Sequence, residues 1–414
     1  MRRLLIDNAG LDRVAIKRRI RKNVILGILQ NHDALSFTEI SNQTKFSLPV
    51  VSDLVKELMQ EGFVQPVEAR PVKIGRPPEM VKINPHAGYI IGIDIGRVTT
   101  NLVLIDMKRE VVADLEVNTI ALRDDQKIFD AIEQEVHQLV QKAAIPEEKI
   151  LGIGVAIPGL VDSKTGRSYT YLSAADKPVR DILEERLRKP VAIENDAKAM
   201  ALGEKYFGAA QHVQHALVLN LGWGIGMGII LNGEIYYGAR GFSGEVGHIR
   251  VMDNGYLCEC GKQGCLESVA SGRAIQRIAR DRLKAGAKSK LLKMNQGDLE
   301  SITVANIVEA ACAGDQFSIE LLEEAGRAIG EVIAYLINLF NPEKIILGGR
   351  VSNAGRFILH PIQTTAFRYS LIELQREISI EISQLGARSG ALGATALISR
   401  QIFETRHLDL AAYV

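Results

Sequence analysis

The chain has 414 residues, 47% of them hydrophobic and 24% charged, with 50 Lys+Arg against 49 Asp+Glu. That balance is ordinary for a soluble globular protein, and the length predicts two or three domains. Four Cys form no disulfide framework, no stretch approaches the ~20 apolar residues of a membrane span, and the basic N-terminus lacks a signal-peptide core, so a reducing, cytoplasmic setting is expected.

Residues 1–84 carry 14 Lys+Arg against 9 Asp+Glu, a net of +5; the remainder carries 36 against 40, a net of −4. A basic N-terminal piece on a mildly acidic body predicts an anionic partner for that piece. Residues 1–12 read as a loosely held arm. From Arg13 to Gln30, Ile16, Ile20, Val24 and Ile28 recur every four positions and Ile25 and Leu29 widen the stripe, which predicts an amphipathic helix. Lys17, Arg18, Arg19, Arg21 and Lys22 load its first half and read as a solvated face. Ser36 and Glu39 are spaced as a capping box opening a short helix. After a turn at Lys45 and Phe46, Ser47 is placed to cap a second helix with Pro49 in its first turn. Val51, Leu54, Val55 and Leu58 form its buried stripe, and Gly62 stops it. Pro49, Val50, Ser52, Asp53 and Lys56 are left facing away, and with Lys45 and Ser47 they are the candidate DNA contacts. Helix, short helix, turn, helix is the helix-turn-helix arrangement, whose second helix enters the major groove of DNA. Strands at 63–67 and 80–83 then flank a basic hairpin tip with Lys73 and Arg76, a wing that can place Arg76 in the minor groove. Residues 1–84 are therefore expected to be a winged helix-turn-helix that binds operator DNA.

Beyond Asn84-Pro85, apolar strands at 89–94, 101–106, 111–118 and 150–157 and a helix near 126–143 predict an α/β domain. Asn195 and Asp196 follow a short strand and open a helix, where Asn195 can serve as the cap. Leu217 to Leu231 reads as two strands joined by a Gly-rich turn, and Asn232-Gly233 as a hairpin turn. A long helical section spans about 271–340; strands at 344–347 and 378–382 and a helix from Ser389 to Phe403 close the chain. Cys312, inside an apolar helical pattern, is expected to be a buried, inert thiol.

Residues 245–267 read EVGHIRVMDNGYLCECGKQGCLE. His248, Cys258, Cys260 and Cys265 form a four-ligand N/S set suited to tetrahedral zinc, and the absence of an open position predicts a closed structural site. Gly255, Gly261 and Gly264 allow tight folding around an ion.

ExGH followed by CxCGxxGCLE resembles the signature of the ROK family of sugar kinases and sugar-responsive repressors, and the likeness covers about residues 86–400. The resemblance implies a two-lobed, actin-like, ribonuclease-H-like sugar kinase fold. A first lobe would span 85–198 and be completed by a C-terminal helix, 388–414, and a second would span 199–387. It also implies a sugar site made by Gly159, Asn195, Asp196, Glu245, His248 and Glu267, with Asp196 at the position of the kinase base. Family kinases bind ATP through DxGGTK and GTGxGGG turns. Here the first is Asp94-Ile95-Gly96-Arg97-Val98-Thr99 and the second is Gly222-Trp223-Gly224-Ile225-Gly226-Met227-Gly228. Arg97, Trp223 and Met227 replace residues that must admit phosphate; Thr99 or Thr100 are the candidates to compensate. Gly348-Gly349, the third motif, is retained. The expectation is a sugar-responsive repressor without catalytic activity, with a structural zinc, a sugar or sugar phosphate effector, and a homodimer or homotetramer on DNA. Control by a protein partner is compatible with it. The alternatives are an active sugar kinase fused to a DNA-binding domain and a zinc-stabilised scaffold that senses nothing.

Overall fold

In a computed structural model, residues 12–67, 79–119, 125–173 and 177–403 are described. Helix α1 (Arg13–Gln30) starts at Asp12, whose side chain accepts from Ala15 N at 2.7 Å. Its buried face is turned from the predicted one. Ile25, Leu26 and Leu29 are fully buried beside Arg19, Lys22, Asn23 and Gln30, whereas Ile16, Val24 and Ile28 are only partly covered. The basic half is therefore not a plain solvated face. Its partners lie on α3 (Leu48–Gln60) and just past it: Lys22 Nζ is 2.7 Å from Glu57 and 2.6 Å from Glu61, and Arg18 also pairs with Glu57.

Hydrogen bonding by Arg18, helped by Lys22, holds the Glu57 carboxyl down at about 2, against an ordinary 4.5. A depressed carboxyl stabilises the fold fully above pH 4.5 and loses that contribution as pH falls through 2. Glu57→Ala should cost roughly 1–3 kcal/mol at pH 7, because it strips a mostly buried Lys22 of one partner. Melting curves should show more than half of that difference gone at pH 3.

α2 (Phe37–Thr44) carries the capping box as expected: Ser36 Oγ accepts from Glu39 N at 3.2 Å, and Glu39 accepts from Ser36 N at 2.7 Å. Ser47 occupies the cap position of α3 but makes no side-chain cap bond, a correction to the expected role. Val51, Leu54, Val55 and Leu58 are the buried face of α3. β1 (Leu35–Ser36), not anticipated because it is two residues long, pairs with β3 (Met80–Ile83), which pairs with β2 (Val64–Val67). The wing tip, with Lys73 and Arg76, lies outside the described residues.

The described chain divides into two compact units. The first runs to Gly159, resumes over Ser163–Glu194 and ends with the stretch from Ala394; the second comprises Leu160–Asp162 and Asn195–Gly393. Besides the winged helix, the first unit holds the sheet β8-β7-β4-β5-β6, built from β4 (Tyr89–Ile95), β5 (Thr99–Asp106), β6 (Val111–Asn118), β7 (Ile150–Ile157) and β8 (Val191–Asn195, whose last residue opens the second unit). β7 is buried along its whole length. α4 (Asp125–Lys142) and α5 (Val179–Leu187) belong to this unit.

The second unit repeats that topology. α6 (Asp196–Phe207) packs on the sheet β11-β10-β9-β12-β13, formed by β9 (Ala216–Leu221), β10 (Ile225–Leu231), β11 (Glu234–Ile235), β12 (Lys344–Gly348) and β13 (Ser379–Ile382). In both sheets the first three strands run antiparallel in order and the next strand lies parallel to the first. Asn232 and Gly233 both have positive φ (52° and 74°), as a two-residue hairpin requires. After α7 (Leu266–Ala270), the predicted long helical section is broken into α8 (Gly272–Lys284), a single turn at Leu291–Met294, α9 (Val304–Cys312) and α10 (Gln316–Phe340), with α11 (Arg356–Tyr369) packed along α10. Cys312, at the last turn of α9, is exposed rather than buried, because the apolar stripe there runs through Ile307, Ala310 and Ala311. α12 (Ser389–Phe403) begins in the second unit and finishes in the first.

Candidate metal centre and ligand site

The four predicted metal ligands converge: one donor atom from each of His248, Cys258, Cys260 and Cys265 lies within 4.8 Å of every other. Cys258 Sγ is 3.6 Å from His248 Nδ1, and Cys260 Sγ is 3.7 Å from Cys265 Sγ. A tetrahedral zinc with ~2.3 Å bonds to sulfur has donor–donor edges of about 3.8 Å, so the spacing suits that ion. The loop geometry explains the convergence. Cys258 N donates to Lys262 O at 2.7 Å and Gly261 N to Cys258 O at 3.0 Å, folding the CxCG segment back on itself. Gly264, at φ 75°, has no room for a Cβ against Met252 O. Burial, with the neighbouring thiols, pushes the Cys265 thiol up to about 12. Thiols gathered this tightly suit a cation that takes their protons' place.

His248 joins this cluster to a second one. Its Nδ1 faces Cys258, and its Nε2 lies 3.8 Å from Glu245. Glu267, in the first turn of α7, has one carboxylate oxygen held by Ile225 N at 3.1 Å. Asn195 caps α6, accepting from Ala197 N and Lys198 N, each at 3.1 Å. That leaves its amide to donate to Asp196 at 2.9 Å, while Asn220 donates to the other Asp196 oxygen at 3.2 Å. Burial pushes Asp196 up to about 6 with help from Glu245, against the Ala197 N–H and Lys198. Glu245 is raised by burial too, opposed by Lys198 and His248. Asn195, Asp196, Glu245, His248 and Glu267 thus all belong to the second unit, whereas Gly159 belongs to the first, where it abuts Thr170 at a φ of 83°.

Sequence reasoning missed Asn220 and Lys198. Asn220 sits near the end of β9 just before the Gly-rich turn, where its position was the available signal. Lys198 is 2% exposed, and nothing local marks a lysine for burial.

At the two turns that differ from those of the family kinases stand large side chains, Arg97 in the first and Trp223 and Met227 in the second. Arg97 lies over the Tyr171 ring at 4.6 Å and donates to its hydroxyl. Thr100 is buried with its hydroxyl 2.9 Å from that of Thr119, already partnered. Trp223 is partly buried within the second turn, its Nε1 covered and without a hydrogen-bond partner among the described residues, and Met227 is buried. Gly348 and Gly349 are retained by packing: a Cβ there would lie 2.8 Å from Met200 Sδ and 2.6 Å from Leu221.

On the DNA side, Lys45, Ser47, Pro49, Asp53 and Lys56 are exposed, and Val50 and Ser52 partly so, at the start and along the outer face of α3.

Residues 18–65 match the winged helix-turn-helix DNA-binding family, and residues 90–401 match the ROK family. The chain belongs to the ROK family. It is 32% identical to the xylose repressor of Caldicellulosiruptor bescii over 383 residues, 92% of this chain and 96% of that one. Among solved structures, a ROK family transcriptional regulator described as a homologue of the E. coli MLC protein superposes with a TM-score of 0.78 at 26% identity, over 94% of this chain and 97% of that one. A ROK glucokinase from Streptomyces griseus, in complex with glucose and AMPPNP, is 34% identical with a TM-score of 0.68 and covers 76% of this chain and 100% of its own. Among the described residues no helix is long and apolar enough to cross a membrane.

Proposed function

We propose that this ROK protein is a sugar-responsive transcriptional repressor whose kinase chemistry has been lost. One observation carries the reading. A winged helix-turn-helix is fused to a body in which carboxylate and amide groups gather about Asp196, while Arg97 and Trp223 stand in the turns where the family kinases carry smaller residues. The extent of similarity supports it: the likeness to the xylose repressor includes the winged helix, and the glucokinase match leaves about a quarter of the chain uncovered. In this reading residues 1–84 read DNA through the outer face of α3, with Lys73 and Arg76 in the wing. The lobes are 85–198, completed by 388–414, and 199–387. Glu245, His248 and Glu267, with Asn195, Asp196 and Gly159, hold a sugar or sugar phosphate.

His248, Cys258, Cys260 and Cys265 would hold a structural zinc, which supplies no catalytic step here. With Nδ1 engaged there, the His248 imidazole would present Nε2 to the ligand beside Glu245. Asp196 would accept from a ligand hydroxyl, and Asn195 and Asn220 orient it.

Two winged helices in a dimer would match two half-sites about one helical turn apart. Tyr335, Leu339, Tyr369, Leu371 and Ile372 are each more than half exposed near the ends of α10 and α11, where Asn338 accepts from Leu371 N at 3.0 Å. Together they offer an apolar surface for a second copy of the chain, a standard interface taking about 800 Å² from each partner.

The test is a gel shift on DNA from upstream of the protein's own gene, repeated with xylose, glucose, N-acetylglucosamine and their phosphates. One compound should weaken DNA binding about tenfold or more, the scale of ordinary allosteric coupling. An ATP-coupled assay over the same panel should show no turnover. Asp196, raised to about 6, keeps a carboxyl suited to a general base, so turnover without DNA binding would establish a kinase instead.

A further inference from the structure

Within the first unit, the winged helix is joined to the α/β part by more than the chain at Asn84. Buried Asn23 donates from Nδ2 to Ile402 O at 2.8 Å, near the end of the described part of α12. Lys108, in the β5–β6 turn, donates to Gln30 O at 3.3 Å and His32 O at 3.0 Å. These carbonyls mark the C-terminal end of α1, where the helix dipole favours a cation. Arg109 reaches Asn31 Oδ1 at 2.9 Å and the Gln30 side chain at 3.4 Å. Between these points α1 lies close to α12: a Cβ on Gly27 would sit 3.0 Å from Phe403 O.

The turn that presents Lys108 and Arg109 is itself stiff. Buried Asp106 accepts from Lys108 N at 2.8 Å and Glu110 N at 3.0 Å. Arg109 sits at φ 65°, a left-handed conformation that a non-glycine residue keeps only where its surroundings hold it. The opposite side of α1 is tied to α3 through Arg18 and Lys22 on Glu57. α1 is therefore a strut, pinned to the reading helix on one side and to the β5–β6 turn and α12 on the other.

We propose that Asn23, Lys108 and Arg109 are positioning residues that lock the winged helix onto the α/β part of the first unit, and that the ligand state of the protein reaches DNA through this lock. The second clause rests on the sugar-responsive reading. α12 supplies the route. It is one continuous helix, and its first residues press on α6: Gly203 has no room for a Cβ against Ser389 O, nor Gly393 against Ala199 O. α6 carries Asn195 and Asp196 at its start. A displacement of α6 on ligand binding is carried along α12 to Ile402 and so to Asn23.

The test uses the full-length chain with Lys108→Ala/Arg109→Ala, and Lys108→Arg as the variant that keeps the cation. Hydrogen exchange over residues 23–31 should be about tenfold faster in the double variant, close to wild type in Lys108→Arg, and unchanged over α3 in both. Unchanged exchange over 23–31 in the double variant overturns the lock. Loss of protection over α3 as well overturns it too, because these residues would then hold the winged helix folded rather than position it. The gel shift supplies the second arm, with millimolar xylose and the rest of the sugar panel as probes. Where a compound weakens DNA binding by wild type, the double variant should keep its sugar-free affinity within about threefold and lose most of the response. A retained response overturns the lock as the route. If no compound acts on wild type, the sugar-responsive reading fails, the route falls with it, and hydrogen exchange alone decides the lock.

Discussion

Cys265→Ser should lower bound zinc, measured by atomic emission on purified protein, from about one per chain to below a tenth of that. Cys265 is 1% exposed and its Sγ lies 3.7 Å from both Cys260 Sγ and His248 O, so the substitution removes a central ligand with little change of shape. A structural zinc site holds its loop folded outright. The melting temperature should therefore drop by about 10 °C or more. Because His248 loses the partner that fixes Nδ1, the sugar response should vanish as well, while the winged helix, which has its own core, should still bind DNA. Chelation of wild type should reproduce each effect. A variant with full zinc content and an unchanged melt would show that these side chains form only a cluster of thiols.

Glu245→Ala and Glu267→Ala should each weaken sugar binding by about 10- to 100-fold in calorimetry. Both carboxylates are charged acceptors for hydroxyls, and a hydrogen bond to a charged group contributes ~1.5–3 kcal/mol. The larger loss is expected at Glu267. It also accepts from Ile225 N at 3.1 Å, so its removal leaves that amide unpaired and loosens the turn at Gly224. Glu245→Ala should leave zinc content intact, since Glu245 lies on the Nε2 side of His248. Affinities within twofold of wild type in both variants would mean that the sugar sits elsewhere.

Much of this architecture is written in local signals. The boundaries of α1 and α12 agree with the pattern from Arg13 to Gln30 and from Ser389 to Phe403, because periodicity and caps act within a few residues. The Ser36–Glu39 capping box is likewise local. The His248, Cys258, Cys260 and Cys265 cluster was legible because three thiols and an imidazole within eighteen residues have few reasons to gather other than a cation.

Other features have no local trace. Lys22 reads as a solvated cation until Glu57 and Glu61, 35 and 39 residues later, are folded against it. Lys198 and Cys312 invert the usual expectations of burial, because the direction a helix faces is set by what packs on it. Asn220 meets Asp196 only once β9 is placed beside α6, and Arg97 finds Tyr171 across 74 residues of chain. The helix-turn-helix, the order of α/β elements and the His/Cys set that could hold a metal are legible without the fold, since each depends on residues close in sequence. Which charges are buried, what Arg97 stacks on and what the winged helix packs against emerge on folding, since those depend on partners brought together from far along the chain.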